Sequence, residues 1–277
     1  MPNRLLKSYE EPADHKVVSD IIRRHSVNPV DVREHVLANR DLSWASSILD
    51  LGCGYGFMAE RLASLVAEDA VLLGVDLCGT NRGEFMRRVR MQGRKASFVS
   101  MLLHDRLPWE TGAFDLIVSS YSLYFFPELV SEIARVLHRR GLFLTLTHTM
   151  HSQRDLLACF GVSEDDSPLV RLVSRFSVEN AAEVLSSCFG QVEQVDYFNA
   201  LRFDVDDVDD LAVYLRFKLL LAGEVSVPSA ILSTTDLAQL LNTRGPVEIR
   251  KDDAAFWCRE PHHSGNDRHN GGDVEEE

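Results

Sequence analysis

The 277-residue chain is 45% hydrophobic, 26% charged and 8% aromatic, which gives it enough apolar surface to bury a core and excludes wholesale disorder. Its 29 basic and 42 acidic residues leave a formal charge of −13, opposite to that of a nucleic-acid sleeve or an anionic-membrane binder. No apolar run reaches the roughly 18 residues of a membrane span, and the opening Met1 to Glu11 lacks the apolar stretch of a secretion signal. Five scattered cysteines without C-x-x-C spacing argue against a disulfide framework or a structural zinc site. The sequence therefore reads as a reduced, cytoplasmic protein without metal, meeting a small molecule rather than nucleic acid or membrane.

Residues 1–45 form an N-terminal helical cap, with apolar positions at Val17, Val18, Ile21 and Ile22, then Val30, Val32, Val36 and Leu37. Asn28-Pro29 suits a helix entry, Asn as cap and Pro at the first position. From Ser47 the period changes. Ser47 to Leu51 is a short apolar run ending in glycines, as a buried parallel strand should be. A helix from Phe57 to Val66, a strand over Val71 to Asp76 and a helix over 81–92 follow. Strands over Ala96 to Leu103, Phe114 to Ser120 and Leu142 to Thr147, with a helix over 128–137, complete the first half. This alternation implies right-handed crossovers and a doubly wound α/β sheet.

In the second half Ser177 caps a helix running to about Cys188, and strands are expected over Val192 to Phe203 and Val247 to Cys258. The sheet, now mostly parallel and seven-stranded, occupies 46–203 and 246–260. Between these parts lies a helical insertion, 204–245, with helices over 207–222 and 229–242. Residues 261–277 have almost nothing to bury and read as a disordered tail.

The sharpest motif is Asp50-Leu51-Gly52-Cys53-Gly54-Tyr55-Gly56-Phe57, between the first strand and its helix. Ligands of open α/β sheets bind at such turns, where glycine lets backbone approach them closely. A dinucleotide site wants G-x-G-x-x-G, but here the spacing is G-x-G-x-G and Phe57 stands where the third glycine would be. Asp50 sits badly beside a pyrophosphate and well beside an ammonium group. Asp76, twenty residues after Gly56, can accept hydrogen bonds from ribose hydroxyls, and Leu77 offers a purine an apolar face. Together these describe a site for an adenosine with a positively charged amino-acid tail.

The run I-L-D-L-G-C-G-Y-G, V-D at the second strand and L-P-W-E-T-G-A-F-D-L-I-V-S-S at the fourth resemble the class I S-adenosylmethionine-dependent methyltransferases, notably the small-molecule group. The resemblance covers about residues 47–147. It implies a Rossmann-like fold with S-adenosyl-L-methionine as cofactor. Asp50, Gly52, Cys53, Gly54 and Gly56 would hold the methionyl end, and Asp76 the ribose. Leu77, Leu102 and Leu103 would flank the adenine, while Ser119 to Tyr121 form the floor near the methyl group. Two departures stand out. The acid the family commonly carries after the third strand is replaced by Leu103, so backbone around Leu102 and Leu103, or Asp105, would read the adenine. The family's frequent L-x-H is replaced by Leu123-Tyr124-Phe125-Phe126.

Methyl transfer from a sulfonium is an in-line displacement, so positioning supplies much of the rate and a base is needed only for a protonated nucleophile. Tyr121 and His148, at strand ends, are the candidate catalytic residues, with Tyr124 and His151 behind them. Cys53 reads as a space-filler in an acidic loop. Val208, Leu211, Ala212, Leu215 and Leu219 form one stripe of the insertion, with Tyr214, Phe217, Leu220 and Leu221 elsewhere on the helix. Such a helix buries two surfaces. It would serve as a lid on the substrate or as the seam of a homodimer, with extra core packing as the plain alternative. The aspartates from Asp204 to Asp210 favour its N-terminus. The Arg82 to Lys95 cluster reads as a solvated helix face. The expected function is methyl transfer to an oxygen or nitrogen of a small-molecule metabolite. The alternative is a cofactor-binding, non-catalytic regulatory or scaffolding partner, and an enzyme acting on RNA or protein is a weaker third.

Overall fold

The computed structural model describes residues 12–159, 167–221 and 233–262. The expected tail beyond His262 and the start of the second insertion helix lie outside the described residues.

Helix α1 (Pro12–His25) buries Val18 and Ile21, and α2 (Val32–Leu37) starts at Asp31, whose carboxylate accepts from the Arg33 N–H. Asn28 does not open a helix as expected. Its N–H and side-chain amide instead bind Asn199 Oδ1 at 3.0 Å and the Phe198 carbonyl at 2.9 Å, tying the cap to the far side of the chain.

The sheet contains β1 (Ser47–Leu51), β2 (Val71–Asp76), β3 (Lys95–Ser100), β4 (Phe114–Ser120), β5 (Leu137–His148) and β6 (Phe189–Tyr197). Its order is β3-β2-β1-β4-β5-β9-β6, where β9 (Asp253–Pro261) runs antiparallel to both neighbours. The seven-stranded doubly wound sheet is as expected. Successive residues face opposite layers. Ile48 packs with Leu62, Phe85 and Val89 of α3 (Phe57–Ala63) and α4 (Arg82–Met91). Leu49 turns to the layer of α5 (Val130–Val136) and α8 (Val178–Ser186), against Ile133, Ala181 and Leu185.

Two expected strands break. The run from Val192 to Phe203 ends as β6 at Tyr197 and resumes as β7 (Ala200–Phe203). The run from Val247 to Cys258 splits into β8 (Val247–Arg250) and β9. β7 and β8 pair with each other in a separate two-stranded sheet, and an isolated antiparallel bridge joins Leu201 of β7 to Ser26. Polar residues make the break. Asp252 accepts the Asn199 N–H at 3.0 Å while the Asn199 carbonyl takes the Lys251 N–H at 2.8 Å.

A third apolar core lies over this small sheet. Leu201, Phe203 and Ile249 meet Val18 and Ile21 of α1, Leu156 and Leu157 of α6 (Met150–Cys159), and Leu211 and Leu215 of α9 (Val208–Leu221). Leu237 and Leu241 of α10 (Thr234–Arg244) close it. Leu211, Ala212, Tyr214, Leu215 and Phe217 of α9 all pack within the chain, where α1, α7 (Pro168–Val173) and α10 contact that helix. Asp210 fixes the arrangement through Arg24 at 2.7 Å and His25 at 2.8 Å. Helices α6 and α7 carry no expectation from the sequence.

Candidate active site

At the carboxyl end of β1 the chain turns sharply. Gly52 has φ +69°, and a Cβ there would lie 2.4 Å from Ser122 Cβ, so only glycine fits. Its N–H donates to the Val75 carbonyl at 2.8 Å, and the Gly54 N–H donates to Asp76 Oδ2 at 2.8 Å. Asp76 also accepts from the Cys78 N–H at 2.8 Å and Asn81 Nδ2 at 3.3 Å. Burial raises its pKa against the lowering effect of these three donors. The carboxylate is held at the end of β2, with acceptor capacity left over.

Asp50 is different. It is 2% exposed, and among the described residues neither carboxylate oxygen has a hydrogen-bond partner. Burial, with the charge of Asp76 second, pushes its pKa up to about 8. A buried carboxyl left without donors calls for one from a ligand, and an ammonium supplies both the charge and the N–H groups. Cys53 is buried beside Asp50, its thiol pushed well above the usual value, so it fills space and stays a thiol.

The ends of β4, β5 and β9 build the other half. Ser119 departs from its expected place. Its side chain is fully buried on the opposite layer, 2.8 Å from Ser122 Oγ, and Ser120 lines the cavity instead because strand side chains alternate. Tyr121 follows with φ +55°, a left-handed conformation rare for a non-glycine residue. Its hydroxyl donates to Asp253 Oδ2 at 2.7 Å, and its ring stacks on His148 at 4.6 Å. The antiparallel register sets His148 opposite Asp253, and His148 Nδ1 lies 2.6 Å from Asp253 Oδ1. Lys251 Nζ donates to Asp253 Oδ2 at 2.7 Å.

The protonation states follow. Burial would raise the Asp253 carboxyl, but Lys251 and His148 together hold it well below the usual range. Burial pushes His148 down to about 4, outweighing Asp253. Burial and the adjoining carboxylate raise Tyr121, which stays a donor. A neutral imidazole facing a carboxylate must donate through Nδ1, so Nε2 keeps its lone pair.

One cavity of about 570 Å³ joins the halves. Asp50, Gly52 and Gly54 line one part, and Tyr121, Tyr124 and His148 another, with Val18 and Ile22 of α1 as a wall. Leu77 and Leu102 stand exposed outside this lining, and Leu103 packs partly buried against the core. The Asp105 side chain is 90% exposed and bonded to its neighbour His104. His151 is exposed on α6, outside the cavity lining. The basic cluster is not simply a solvated face, since Arg88 is bound by Glu60 at 2.6 Å and Glu84 at 2.9 Å beneath the Tyr55 ring.

Sequence reasoning missed Asp253, Lys251 and Lys218. Their signals were present: Lys251-Asp252-Asp253 opens the apolar run Ala254 to Trp257, and Lys218 interrupts an apolar helix. Among the described residues no group of three or more His, Cys, Asp or Glu is arranged for a metal ion. None of their helices is long and apolar enough to cross a membrane.

Comparison with known proteins places this geometry. Residues 48–141 match a family described as methyltransferase domain. The chain is 28% identical over 131 residues to a ubiquinone biosynthesis O-methyltransferase of Vibrio campbellii, covering 46% of this chain and 54% of that protein. It is 34% identical over 103 residues to a malonyl-[acyl-carrier protein] O-methyltransferase of Legionella pneumophila, covering 36% and 35%. The chain thus spans about half the length, or less, of these curated relatives. Phosphoethanolamine N-methyltransferase 2 of Haemonchus contortus, solved with S-adenosyl-L-methionine, shares the fold at TM-score 0.51 and 14% identity, over 91% of this chain and 58% of that one. The [4+2]-cyclase SpnF also shares it, at 0.51 and 17%, over 91% and 96%. At such identities the likeness is one of fold.

Proposed function

We propose that this chain, whose residues 48–141 match a methyltransferase domain, is a class I S-adenosylmethionine-dependent methyltransferase that methylates an oxygen or nitrogen of a small molecule. The carrying observation is the pairing, in one cavity, of a donor-less buried carboxyl at Asp50 with a proton-accepting His148. S-adenosylmethionine, when bound, supplies an electrophilic methyl group on a sulfonium. Asp50 takes its ammonium, the backbone of Gly52, Cys53, Gly54 and Gly56 admits the methionyl chain, and Asp76 accepts from the ribose. Leu77, Leu102 and the backbone at Leu103 offer an adenine surface. Exposure and the bond to His104 turn Asp105 away from that role.

His148 Nε2 accepts the proton of an acceptor hydroxyl or amine, and Asp253 stabilises the imidazolium formed. Tyr121 positions the ring by stacking and by its bond to Asp253. The cavity volume lies in the range of small-ligand pockets and favours a small acceptor. The O-methyltransferase names of the two relatives favour oxygen.

The test is transfer of isotope-labelled methyl from S-adenosylmethionine into fractionated metabolite pools, with wild type and His148→Gln in parallel. A labelled product made by wild type and lost in the variant is expected. Cofactor binding without label in any pool would overturn the enzyme reading and leave a cofactor-binding partner protein.

A further inference from the structure

Lys218 lies in the last turn of α9, 8% exposed, and lines the cavity with His148, Lys251 and Asp253. It has no hydrogen-bond or ion-pair partner among the described residues. The contrast with its neighbours is sharp. Lys251 is equally buried but bonded to Asp253 at 2.7 Å. Arg33 and Arg88, which also line the cavity, are bound by Asp31 at 3.0 Å and Glu60 at 2.6 Å. Removing an ammonium from water without a partner is costly, so an anion at this place is strongly favoured.

The charge balance identifies the anion. Among the buried groups at the acceptor end Lys218 and Lys251 are positive, Asp253 is negative, and His148 and the tyrosines are neutral. The other charged lining residues are exposed, as Lys16 is, or paired, as Arg23 is with Asp20, Arg33 with Asp31 and Arg88 with Glu60. One positive charge is left over. Asp50 does not offset it, because it stands among the glycines at the other end, where a ligand ammonium belongs. A single negative charge restores neutrality and a phosphate dianion exceeds it. Burial, with Lys251 alongside, pushes the Lys218 ammonium down to about 8, so it remains mostly protonated at neutral pH and a nearby anion would raise it again.

We propose that Lys218 is the anchor for a carboxylate on the acceptor substrate, holding that molecule on the insertion helix with its methyl-accepting atom toward His148. The inference rests on the methyl-transfer reading above and adds the substrate class: small monocarboxylic acids bearing a hydroxyl or amine. It also gives the insertion a task beyond covering the cavity, since α9 carries the only buried cation among the described residues that no acid or carbonyl already holds.

The experiment is calorimetric titration of the full chain saturated with S-adenosylhomocysteine. The probes are monocarboxylates from acetate and 3-hydroxybutyrate to 4-hydroxybenzoate, each paired with its neutral amide, and phenyl phosphate. At least one carboxylate should bind tenfold or more tighter than its amide, and that preference should vanish in Lys218→Met. The variant should bind S-adenosylhomocysteine as wild type does and melt no lower. No carboxylate outbinding its amide, a preference that survives Lys218→Met, or tighter binding of phenyl phosphate would overturn the proposal. A variant that melts lower would assign Lys218 to the fold and overturn it as well. Failure of S-adenosylhomocysteine to bind wild type would instead remove the methyltransferase reading on which the inference stands.

Discussion

The two halves of the cavity are made in different ways. The cofactor half is local: Asp50, the glycines and Asp76 lie within one β-α-β unit, and the Gly54 N–H reaches Asp76 across only 22 positions. The acceptor half is assembled from afar, Asp253 lying 105 residues from His148 and 132 from Tyr121. The electrostatics differ too. Among the described residues the first half leaves a carboxyl without donors, while the second surrounds a carboxylate with three of them and leaves the Lys218 ammonium without a partner. Each half lacks what a ligand of the opposite charge brings.

Substitutions that act on one half and spare the other sharpen this comparison. The largest effect is expected from His148→Ala, which should lower turnover by about 10²–10⁴-fold through loss of the proton acceptor. Affinity for S-adenosylhomocysteine should stay within about twofold by calorimetry. A parallel fall in that affinity would mean that the halves are not separable. Asp253→Asn removes the charge that Lys251, His148 and Tyr121 share, and should destabilise the fold by about 3–5 kcal/mol in urea unfolding. Asp50→Asn should weaken S-adenosylhomocysteine by about 2–3 kcal/mol while leaving the network around Asp253 intact.

The pH dependence runs in opposite senses. His148 is lowered from 6.5 to about 4, so its neutral form stabilises the fold above about pH 6.5, and that contribution is lost as pH falls through 4. Asp50 is raised from 3.8 to about 8, so the free protein loses stability as pH rises across that window. Thermal melts of wild type, His148→Gln and Asp50→Asn between pH 4 and pH 8 should separate the two slopes. The smallest effect is expected from Asp105→Ala, which should change cofactor affinity by no more than about 0.5 kcal/mol.

The same contrast explains what could be read from the chain. The glycine turn, Asp50 and Asp76 were legible because backbone conformation and charge are specified by neighbours within a few residues. Tyr121 and His148 were legible as strand ends. Their common partner was not, because only the antiparallel register of β5 and β9 sets Asp253 opposite His148. Ser119 was misplaced by one position, which in a strand is the whole difference between facing the cavity and facing the core. The strands at 192–203 and 247–258 read as continuous because their apolar alternation persists, while the bonds among Asn199, Lys251 and Asp252 that bend both are made between distant segments. Lys218 showed as a lone charge in an apolar helix, but not which cavity it would line.

The claim that Asp50 waits for a ligand ammonium is tested most directly by counting protons on binding. Titrating S-adenosylmethionine at pH 7 into wild type and Asp50→Asn, in buffers of different ionisation enthalpy, gives the number exchanged. A carboxyl held near 8 in the free protein and ionised in the complex should release about one proton per site, and the variant almost none. Saturable binding with no proton released, or equal binding of a nicotinamide dinucleotide, would contradict the account.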